Sequence, residues 1–428
     1  LFVVRIAYME RIGIIGAGYV GLTTGVCLAE MGHTVILADV DAGKLDALRQ
    51  GKSPIFEPGL EELLRKNLAA GRLQLTASNR EVVQRADVIF ICVNTPPRPD
   101  GHADLRYVEA VAREIAECVD HQYRVVVDKS TVPVHTAEKV AETIRRYAKP
   151  GYTVDVVSNP EFLREGTAVR DTLQPDRIVI GTDSPRALEL MRRVFEPIIQ
   201  SSKAKVCTVS VRSAELIKHG ANSFLATKIS FANLIAQVCE RAGADASEVL
   251  TAIGLDPRIG SQFLRPGLGF GGSCFPKDLA AFKQTIGVFN LNPKLLEAVE
   301  EINDTALLQF FNKIQRELWV LDGKRIAVLG LAFKPDTDDI RNSPAIKLVE
   351  LLARDGAKVS AHDPQALARA RHAHPGPTYH DDLYDAVRGA EAVVICTEWE
   401  EYRQADPARL RSLMVTPILF DGRNLFEP

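Results

Sequence analysis

The sequence contains no apolar run long enough to cross a bilayer and no pair of cysteines spaced C-x-x-C. Its seven cysteines are scattered and odd in number, which argues against a disulfide framework and a zinc site and favours a reducing cytoplasm. A net charge of -3, from 52 basic and 55 acidic residues, gives no sign of a nucleic-acid or membrane surface. What remains is an ordinary globular composition, and its 428 residues predict about two to three domains.

Two stretches are expected to carry no chemistry. Leu1 to Tyr8 is mostly apolar but too short and too weakly charged for a signal peptide, and Met9 offers a start, so we expect an extension without function. Arg369 to His380 is expected to be a variable surface loop. Its three histidines lack the carboxylate-backed spacing of a metal site.

Near the start of the chain, a short strand, a glycine turn, a helix and a second strand follow one another. The turn has the G-x-G-x-x-G pattern of dinucleotide-binding folds, formed by Gly16, Gly18 and Gly21. Its glycines would let a pyrophosphate rest on the helix N-terminus, and Asp39 after the second strand would hold the ribose hydroxyls. An acid there favours NAD over NADP, because it repels a 2′-phosphate. Asp41 is expected to cap the next helix, whereas Lys44 could reach the ribose or lie on the surface.

Further α/β units follow. Thr95 and Thr131 come after the predicted strands Ala86 to Val93 and Arg124 to Asp128, at the strand ends where ligands collect. Their hydroxyls are candidates for contact with cofactor or substrate, although Thr95 could equally be a cap or turn residue. Arg177 to Gly181 is predicted to be the last strand of the first domain.

The strand Val154 to Val157 is followed by Asn159 and Pro160, which predict a helix N-cap and the first helical residue. Glu161 and Glu165 would then lie on one helical face. Paired carboxylates beyond a strand end can act as bases or bind substrate. A solvated helix start is the alternative, since acids are favoured there anyway.

From Arg212 to about Arg241, apolar residues recur at helical spacing and predict one long helix that forms a spine and a dimer surface. Lys218 and Asn222 lie four residues apart on it, and an amine beside an amide could stabilise an oxyanion. A solvated lysine and a packed asparagine are the alternative. Helical residues are expected to continue to Ile253, and a second helical stretch is expected from Asp278 to about Leu318.

The stretch from Gly267 to Gly272 contains four glycines in six residues, so backbone and ligand can approach closely. Ser273 is predicted to cap the following helix, which places Cys274 at a helix N-terminus. There the dipole and Lys277 would favour the thiolate. Asp278, four residues on, would face the same side. A thiol, a carboxylate and open amides suggest covalent carbonyl chemistry, with a small buried cysteine as the alternative.

A second α/β domain is predicted from the strand Arg325 to Gly330, which resembles the first strand but lacks the phosphate turn, so a second dinucleotide is not expected. Phe333 offers an aromatic face and Lys334 a point charge for phosphate. Arg258, close to the cysteine loop in sequence, suits an anionic ligand. Ser343 is predicted to cap a helix.

Together these residues resemble the UDP-glucose/GDP-mannose dehydrogenase family from Arg11 to Arg423, most specifically over Gly269 to Asp278. The resemblance implies an α/β protein of two Rossmann-like, doubly wound domains joined by a long central helix. It implies an NAD-binding domain at 1–210, a central helical dimerisation region at 211–318 and a nucleotide-sugar-binding domain at 319–428. A homodimer or higher homo-oligomer in the cytoplasm is expected.

The resemblance further implies NAD-dependent, four-electron oxidation of the C6 alcohol of UDP-glucose to UDP-glucuronate, through a thiohemiacetal and a thioester on Cys274. GDP-mannose or UDP-N-acetylmannosamine is the alternative substrate. A two-electron hydroxyacid dehydrogenase and a non-catalytic nucleotide sensor are the rival functions.

The same resemblance assigns roles to individual residues, and it implies no metal. The catalytic residues would be Cys274, Lys218, Asn222, Asp278, Glu161 and Thr131. The cofactor would be held by Gly16, Gly18, Val20, Gly21, Asp39, Lys44, Thr95, Thr131, Glu165, Lys277 and Arg341. The nucleotide sugar would be held by Glu161, Phe162, Leu163, Lys218, Asn222, Arg258, Phe270, Gly271, Phe333, Lys334 and Arg423, with Arg258 able to reach a neighbouring subunit.

Overall fold

The structure is a computed structural model that describes residues 9–120 and 122–426. The extension predicted at residues 1–8 lies outside the described residues. The chain divides into two compact units, Leu1–Gly220 and Ala221–Pro428.

In the described part of the first unit, eight strands form one sheet. They are β1 (Arg11–Ile15), β2 (Thr34–Ala38), β3 (Leu73–Thr76), β4 (Val88–Ile91), β5 (Tyr123–Asp128), β6 (Thr153–Ser158), β7 (Arg177–Gly181) and β8 (Lys205–Val209). Their order is β3-β2-β1-β4-β5-β6-β7-β8. Neighbouring strands are parallel except β6 and β7, which pair antiparallel at Ser158 and Gly181. The first six strands have the Rossmann order.

Helices cover both faces of this sheet. They are α1 (Tyr19–Glu30), α2 (Ala42–Arg49), α3 (Leu60–Ala69), α4 (Asn79–Arg85), α5 (Arg106–Cys118), α6 (Thr136–Tyr147), α7 (Ala168–Leu173) and α8 (Pro185–Ser201). Ile14 and Phe90 pack into the core on one face, while Ile15 and Ile89 pack into the core on the other. Because both faces are buried, these strands are continuous apolar runs.

The prediction that Arg177–Gly181 is the last strand of this domain is wrong, because β8 pairs with β7 in parallel. Strand β8 lies at the edge of the sheet, and none of its residues is fully buried. Its sequence therefore lacks the apolar run that marks the central strands.

The predicted long helix is confirmed as α9 (Val211–Ala242), which has 32 residues. At a rise of about 1.5 Å per residue it is about 48 Å long. We expected helical structure to continue to Ile253, but it is interrupted after α9, because Gly243 adopts a φ of +71°. A separate helix, α10 (Ala246–Gly254), begins after Asp245, whose carboxylate caps it by accepting from the Ser247 amide.

The second unit has its own sheet, which within the described residues is parallel and five-stranded. The strands β9 (Arg325–Leu329), β10 (Lys358–His362), β11 (Thr378–Tyr379), β12 (Ala392–Ile395) and β13 (Leu419–Asp421) lie in the order β11-β10-β9-β12-β13. Its remaining helices are α11 (Phe275–Val288), α12 (Lys294–Leu318), α13 (Pro344–Arg354), α14 (Leu367–Ala373), α15 (Leu383–Val387), α16 (Glu400–Arg403) and α17 (Pro407–Leu413). Ser343 caps α13 as predicted.

Two predictions for this unit need correction. The helical stretch expected from Asp278 to Leu318 is two helices, because Asn290 takes a φ of +55° between α11 and α12. Residues Arg369 to His380 are not simply a loop, since they include most of α14 and all of β11. The Tyr379 hydroxyl fixes this segment by donating to the carbonyl oxygens of Ala370 and His374.

Candidate active site

The glycine turn between β1 and α1 has the form that a dinucleotide requires. Gly16 has a φ of +101°, and a Cβ on it would lie 2.6 Å from the Cys92 carbonyl oxygen. A Cβ on Gly21 would lie 1.8 Å from the Gly16 carbonyl oxygen. At Gly18, in contrast, the nearest atom is 3.8 Å away, in the Asn94 side chain, so protein packing does not demand glycine there. The open space at the N-terminus of α1 fits a pyrophosphate.

Asp39 lies at the end of β2 beside this turn. Its Oδ2 accepts from the Ala17 amide at 2.8 Å and from Lys44 Nζ at 2.9 Å, and its Oδ1 accepts from the Asp41 amide. Burial alone would raise the pKa of Asp39, but these hydrogen bonds outweigh it and hold the pKa below its usual value. The carboxylate is therefore charged, as an acceptor for ribose hydroxyls should be.

Lys44 takes a position that we did not predict, since it pairs with Asp39. The predicted cap is confirmed, because Asp41 Oδ1 accepts from the Lys44 amide at the start of α2. The Thr95 hydroxyl donates to the Thr131 carbonyl oxygen at 2.9 Å and so joins the segments that follow β4 and β5.

Glu161 and Lys218 form a buried ion pair in the first unit. Glu161 Oε1 accepts from Lys218 Nζ at 2.8 Å, and each side chain is 5% exposed. Glu161 Oε2 accepts from the Leu163 amide at 2.6 Å. Lys218 Nζ also lies 5.6 Å from the centre of the Phe162 ring. Lys218 is thus not the solvated lysine of the alternative interpretation, and the pair places an ammonium and a carboxylate together in a dry environment.

The helix predicted to begin at Asn159 is absent, because residues 159–167 form a loop and α7 begins only at Ala168. Asn159 does not cap a helix. Its amide nitrogen donates to the Val179 carbonyl oxygen at 2.7 Å, and its oxygen accepts from Lys129 Nζ at 3.2 Å. Glu161 and Glu165 consequently do not share a helical face, although both side chains are buried.

Lys129, the residue after β5, was not among the predicted site residues. It is buried, and its Nζ lies 5.9 Å from the Phe90 ring centre. Burial lowers its pKa, while the charges of Cys92 and Glu161 oppose that shift. The available signal was a lysine directly after the apolar strand β5. A charged residue there lies at the carboxyl end of the sheet, where ligands bind.

In the second unit, Cys274 stands at the N-terminus of α11. It occupies the N-cap position, so the prediction that Ser273 caps the helix is wrong by one residue. Ser273 Oγ instead lies 3.6 Å from Cys274 Sγ. The thiol is half-buried, and the Asp278 amide donates to the Cys274 carbonyl oxygen at 2.8 Å. The sulfur therefore lies at the positive end of a helix dipole, which favours a thiolate.

Asp278, one turn after Cys274, is fully buried and bonded from both sides. Its Oδ1 accepts from Lys277 Nζ at 2.6 Å, and its Oδ2 accepts from Asn222 Nδ2 at 2.6 Å. Asn222 therefore orients a carboxylate, in addition to packing against it. The Asp278 carboxylate is thus held between the amide of Asn222 and the ammonium of Lys277.

The glycine loop before Cys274 packs against the sheet domain of the second unit. A Cβ on Gly272 would lie 2.8 Å from the Phe333 ring, and a Cβ on Gly271 would lie 2.3 Å from the Asn342 carbonyl oxygen. The Gly272 amide donates to the Arg341 carbonyl oxygen at 2.9 Å. These glycines are therefore required for the close approach of two backbones.

Arg423 and Phe333 lie together at the carboxyl end of this second sheet. Arg423 Nε donates to the Cys396 carbonyl oxygen at 2.7 Å, and Nη2 donates to the Phe333 carbonyl oxygen at 3.2 Å. Lys334 Nζ is 5.7 Å from the Phe333 ring centre. The Phe270 amide, in the glycine loop, donates to Asn303 Oδ1 at 2.7 Å.

Two predicted arginines are paired with acids nearby in sequence. Arg341 Nη2 lies 2.7 Å from Asp339 Oδ2. Arg258 Nη2 lies 2.6 Å from Asp256 Oδ2, and its side chain is 87% exposed. Arg258 therefore lies on the protein surface, where it is paired with Asp256.

The second sheet resembles the first, but the backbone amides in the turn after β9 are bonded to a side chain of the protein. Asp363 follows β10 as Asp39 follows β2, and its Oδ2 accepts from the amides of Leu331 and Ala332 at 2.7 and 2.9 Å. Trp399 Nε1 donates to the same oxygen at 3.2 Å. The amides that a phosphate would need are therefore already bonded to protein.

Neither a metal cluster nor a membrane-spanning helix occurs in the described residues. Within residues 9–120 and 122–426, no three histidine, cysteine, aspartate or glutamate side chains are grouped as metal ligands. None of the helices in these ranges is both long and apolar enough to cross a membrane.

Three sections of the chain match one family. Residues 10–199 match the NAD binding domain, 212–305 the central domain and 327–428 the UDP binding domain of the UDP-glucose/GDP-mannose dehydrogenase family. The chain belongs to this family. It is an NAD-dependent oxidoreductase, so the family, the enzyme class and the cofactor inferred from the sequence are confirmed.

Similar proteins match over nearly their whole length. The UDP-glucose 6-dehydrogenase of Rhizobium meliloti (strain 1021) is 48% identical over 421 residues, which cover 97% of this chain and 96% of the relative. The solved UDP-glucose dehydrogenase of Pyrobaculum islandicum has a TM-score of 0.93 at 40% identity, covering 99% of this chain and 96% of that one. A UDP-D-ManNAc dehydrogenase from Pyrococcus horikoshii has a TM-score of 0.85 at 28% identity, with 97% and 96% covered. The predicted two-domain Rossmann-like fold is confirmed.

Proposed function

We propose that this family member oxidises the C6 alcohol of UDP-glucose to a carboxylate, giving UDP-glucuronate with two equivalents of NAD. The observation that carries the four-electron reaction is the half-buried thiol of Cys274 at the N-terminus of α11, one turn before the buried Asp278. A dehydrogenase that stops at an aldehyde needs no nucleophile. The choice of UDP-glucose is supported by 48% identity to a UDP-glucose 6-dehydrogenase.

NAD is proposed to lie with its pyrophosphate at the N-terminus of α1 and its adenosine ribose on Asp39. Gly16, Gly18, Val20 and Gly21 would form the turn beneath it. Lys44 would act through Asp39, with which it pairs. Thr95, Thr131, Glu165, Lys277 and Arg341 are proposed as further cofactor contacts on the strength of the family resemblance. When bound, NAD supplies the acceptor for a hydride from C6 in each of the two oxidations.

The chemistry proposed for the protein side chains begins with removal of the C6 hydroxyl proton through a water held by Asp278, with Thr131 near the reacting carbon. Oxidation of this alkoxide gives an aldehyde. The Cys274 thiolate then forms a C–S bond to the aldehyde carbon, and the carbonyl oxygen becomes the oxyanion of a thiohemiacetal. Loss of the second hydride from C6 leaves a thioester.

Water, activated by Glu161 or Asp278, is proposed to attack the thioester, breaking the C–S bond and releasing the carboxylate and the thiolate. Lys218 and Asn222, one turn apart on α9, would donate to the C6 oxyanion. Removing one such donor typically raises the barrier by about 2.7–4 kcal/mol. The desolvated Lys218–Glu161 pair supports this role, because donors in a dry site stabilise charge more strongly than donors in water.

The nucleotide sugar is proposed to bind at the carboxyl end of the second sheet. Phe333 would stack on the base, while Arg423 and Lys334 would neutralise the diphosphate. Phe270, Gly271, Phe162 and Leu163 would contact the substrate with their backbone or apolar surface. Arg258 would contribute from a neighbouring subunit, which is consistent with its exposed position.

A homodimer through α9 is proposed as well. Its described residues Phe224, Phe231, Leu234 and Val238 are between 41% and 66% exposed and recur at spacings that place them along one stripe. The replacement Phe231→Asp should shift the mass measured by light scattering toward the monomer. The domain division at 210 and 318 remains part of the proposal, as does a cytoplasmic location, which the scattered cysteines support.

Turnover tests the reaction. Purified protein should form two NADH per UDP-glucose consumed, and mass spectrometry should detect a sugar nucleotide adduct on Cys274. One NADH per sugar would overturn the thioester scheme. Faster turnover of UDP-N-acetylmannosamine or GDP-mannose than of UDP-glucose would replace the proposed substrate. UDP-N-acetylmannosamine is favoured as the second candidate by the similarity to the Pyrococcus horikoshii UDP-D-ManNAc dehydrogenase.

A further inference from the structure

A buried carboxylate without an assigned role joins the glycine turn to the loop that carries Glu161. Glu57 is 6% exposed and precedes α3. Its Oε2 is hydrogen-bonded to the Tyr19 hydroxyl and accepts from the Gly166 amide at 2.7 Å. Its Oε1 accepts from the Ala168 amide, also at 2.7 Å. The Gly166 amide is shared, because it also donates to the Tyr19 hydroxyl at 3.1 Å.

The two ends of this network lie at places that matter for binding. Tyr19 is the first residue of α1, directly after Gly18, where a dinucleotide pyrophosphate fits. Gly166 closes the loop of Glu161 and Glu165. Burial and Glu57 raise the pKa of Tyr19, and Glu165 makes a smaller contribution. The Glu165 carboxylate therefore also lies within electrostatic range of Tyr19. One side chain thus connects the cofactor turn with the loop of acids.

The hydrogen bonds of this network stabilise the buried Glu57 carboxylate. Burial raises the pKa of Glu57, and the hydrogen bonds from Tyr19 and from the amides of Gly166, Val169 and Ala168 oppose that shift. A buried carboxylate is tolerated when donors replace its lost hydration. Movement of the loop away from α1 would remove several of these donors at once. The position of the loop and the state of the first turn of α1 are therefore energetically linked.

We propose that Glu57 is a positioning residue that couples the dinucleotide site to the Glu161 loop, so that NAD and the nucleotide sugar each tighten binding of the other. The inference rests on the proposed function in assigning Glu161 to the sugar. Because such coupling is reciprocal, either ligand can be titrated to measure it. A purely structural role would stabilise the loop without linking the two ligands.

The test uses NADH and UDP-glucose, a pair that binds without turnover because the alcohol cannot be reduced further. NADH affinity is measured by fluorescence titration with and without UDP-glucose in wild type, Glu57→Gln and Tyr19→Phe. We expect UDP-glucose to increase the affinity of the wild-type protein for NADH about ten-fold, which is within the usual range of coupling between sites. This factor should fall toward one in both variants. In Glu57→Gln an NH2 group replaces one oxygen that accepts hydrogen bonds, and in Tyr19→Phe the hydroxyl that bonds to Glu57 is lost.

Hydrogen exchange gives an independent reading of the loop. The amides of Gly166 and Ala168, which donate to Glu57, should exchange faster in both variants and should no longer be protected by NADH. Tyr123→Phe is the matched control. It removes a tyrosine hydroxyl that donates to Asp155 Oδ2 at 2.7 Å, at the opposite end of the strands, and should leave the coupling factor unchanged.

Unchanged coupling in Tyr19→Phe and Glu57→Gln, with faster exchange alone, would overturn the proposal and leave Glu57 a structural role. If Glu57→Gln does not fold, Tyr19→Phe decides. Wild-type protein that couples NADH to another nucleotide sugar, and not to UDP-glucose, would contradict the proposed substrate while supporting the coupling. Wild-type protein that couples NADH to none of the nucleotide sugars would overturn the coupling itself.

Discussion

Replacing Lys218 by methionine should destabilise the protein strongly, because its Nζ lies 2.8 Å from Glu161 Oε1 and both side chains are 5% exposed. Removal of Lys218 leaves the buried Glu161 carboxylate without the cation that is hydrogen-bonded to it, which typically costs about 3–5 kcal/mol of unfolding free energy. Methionine is unbranched and shorter than lysine only by the terminal nitrogen, so little of the loss would come from a cavity. Turnover should fall as well if Lys218 acts on the C6 oxygen.

The double variant Lys218→Met, Glu161→Gln separates the two effects. With both charges removed, most of the lost stability should return, since neutral replacements of a buried pair are often tolerated. Turnover should not return, because neither the donor to the oxyanion nor the base is restored. The two results together distinguish a structural ion pair from one that also serves the reaction.

Hydrogen exchange of peptides covering residues 153–165 and 211–220 is the appropriate measurement, because a chain of two units need not unfold in one step. Arg146→Met is the control, since its pair with Glu142 is more than half exposed and should contribute less than about 1 kcal/mol. A double variant no more stable than Lys218→Met would refute the pairing argument. A double variant with restored turnover would refute the catalytic one.

Three further predictions concern single side chains. Asp39→Ala should weaken NAD binding about ten-fold or more and improve NADP, because a charged acceptor is lost and Lys44 becomes available to a 2′-phosphate. Cys274→Ser should release one NADH per sugar and then stall, which a burst assay with product analysis detects. Asp128→Asn should remove a pH dependence of stability. Burial and the neighbouring Glu215 raise the pKa of Asp128 well above its unfolded value of about 3.9, so wild-type stability should fall by about 1.4 kcal/mol per pH unit as pH rises through that window.

Each of these has a contrary outcome. Unchanged cofactor preference in Asp39→Ala would remove that residue from the ribose site. Full two-step turnover by Cys274→Ser, with Cys207→Ser as a control on β8, would remove the thiol from the mechanism. Parallel stability profiles for Asp128→Asn and wild type as pH rises above about 4 would mean that the pKa of the buried carboxyl is not raised in the native state.

The sequence predicted those parts of the fold whose signals are local. The turn of Gly16 and Gly18, the cap at Asp41 and the length of α9 follow from spacing and residue type alone. Cys274 was placed at a helix N-terminus for the same reason, although the cap is the cysteine itself and not Ser273.

The remaining errors arose where distant partners decide. Asn159 and Pro160 have the local signature of a helix start, but the Asn159 side chain is used by Val179 and Lys129, which are 20 and 30 residues away in sequence. Strand β8 could not be found because its residues are only partly buried. The same limit hid Glu57, whose partners lie in two other segments of the first unit, at Tyr19 and at residues 166–169.

The self-contained turn of the second sheet has a consequence for protein engineering. Replacing Leu331 and Ala332 by glycine would not create a phosphate site. The backbone amides of both residues already donate to Asp363, which also accepts from Trp399. The Asp363 carboxylate acts as an internal anion at these amides. It would have to be removed or neutralised before a phosphate could bind there. Any attempt to give this protein a second nucleotide cofactor should therefore begin by redesigning Asp363.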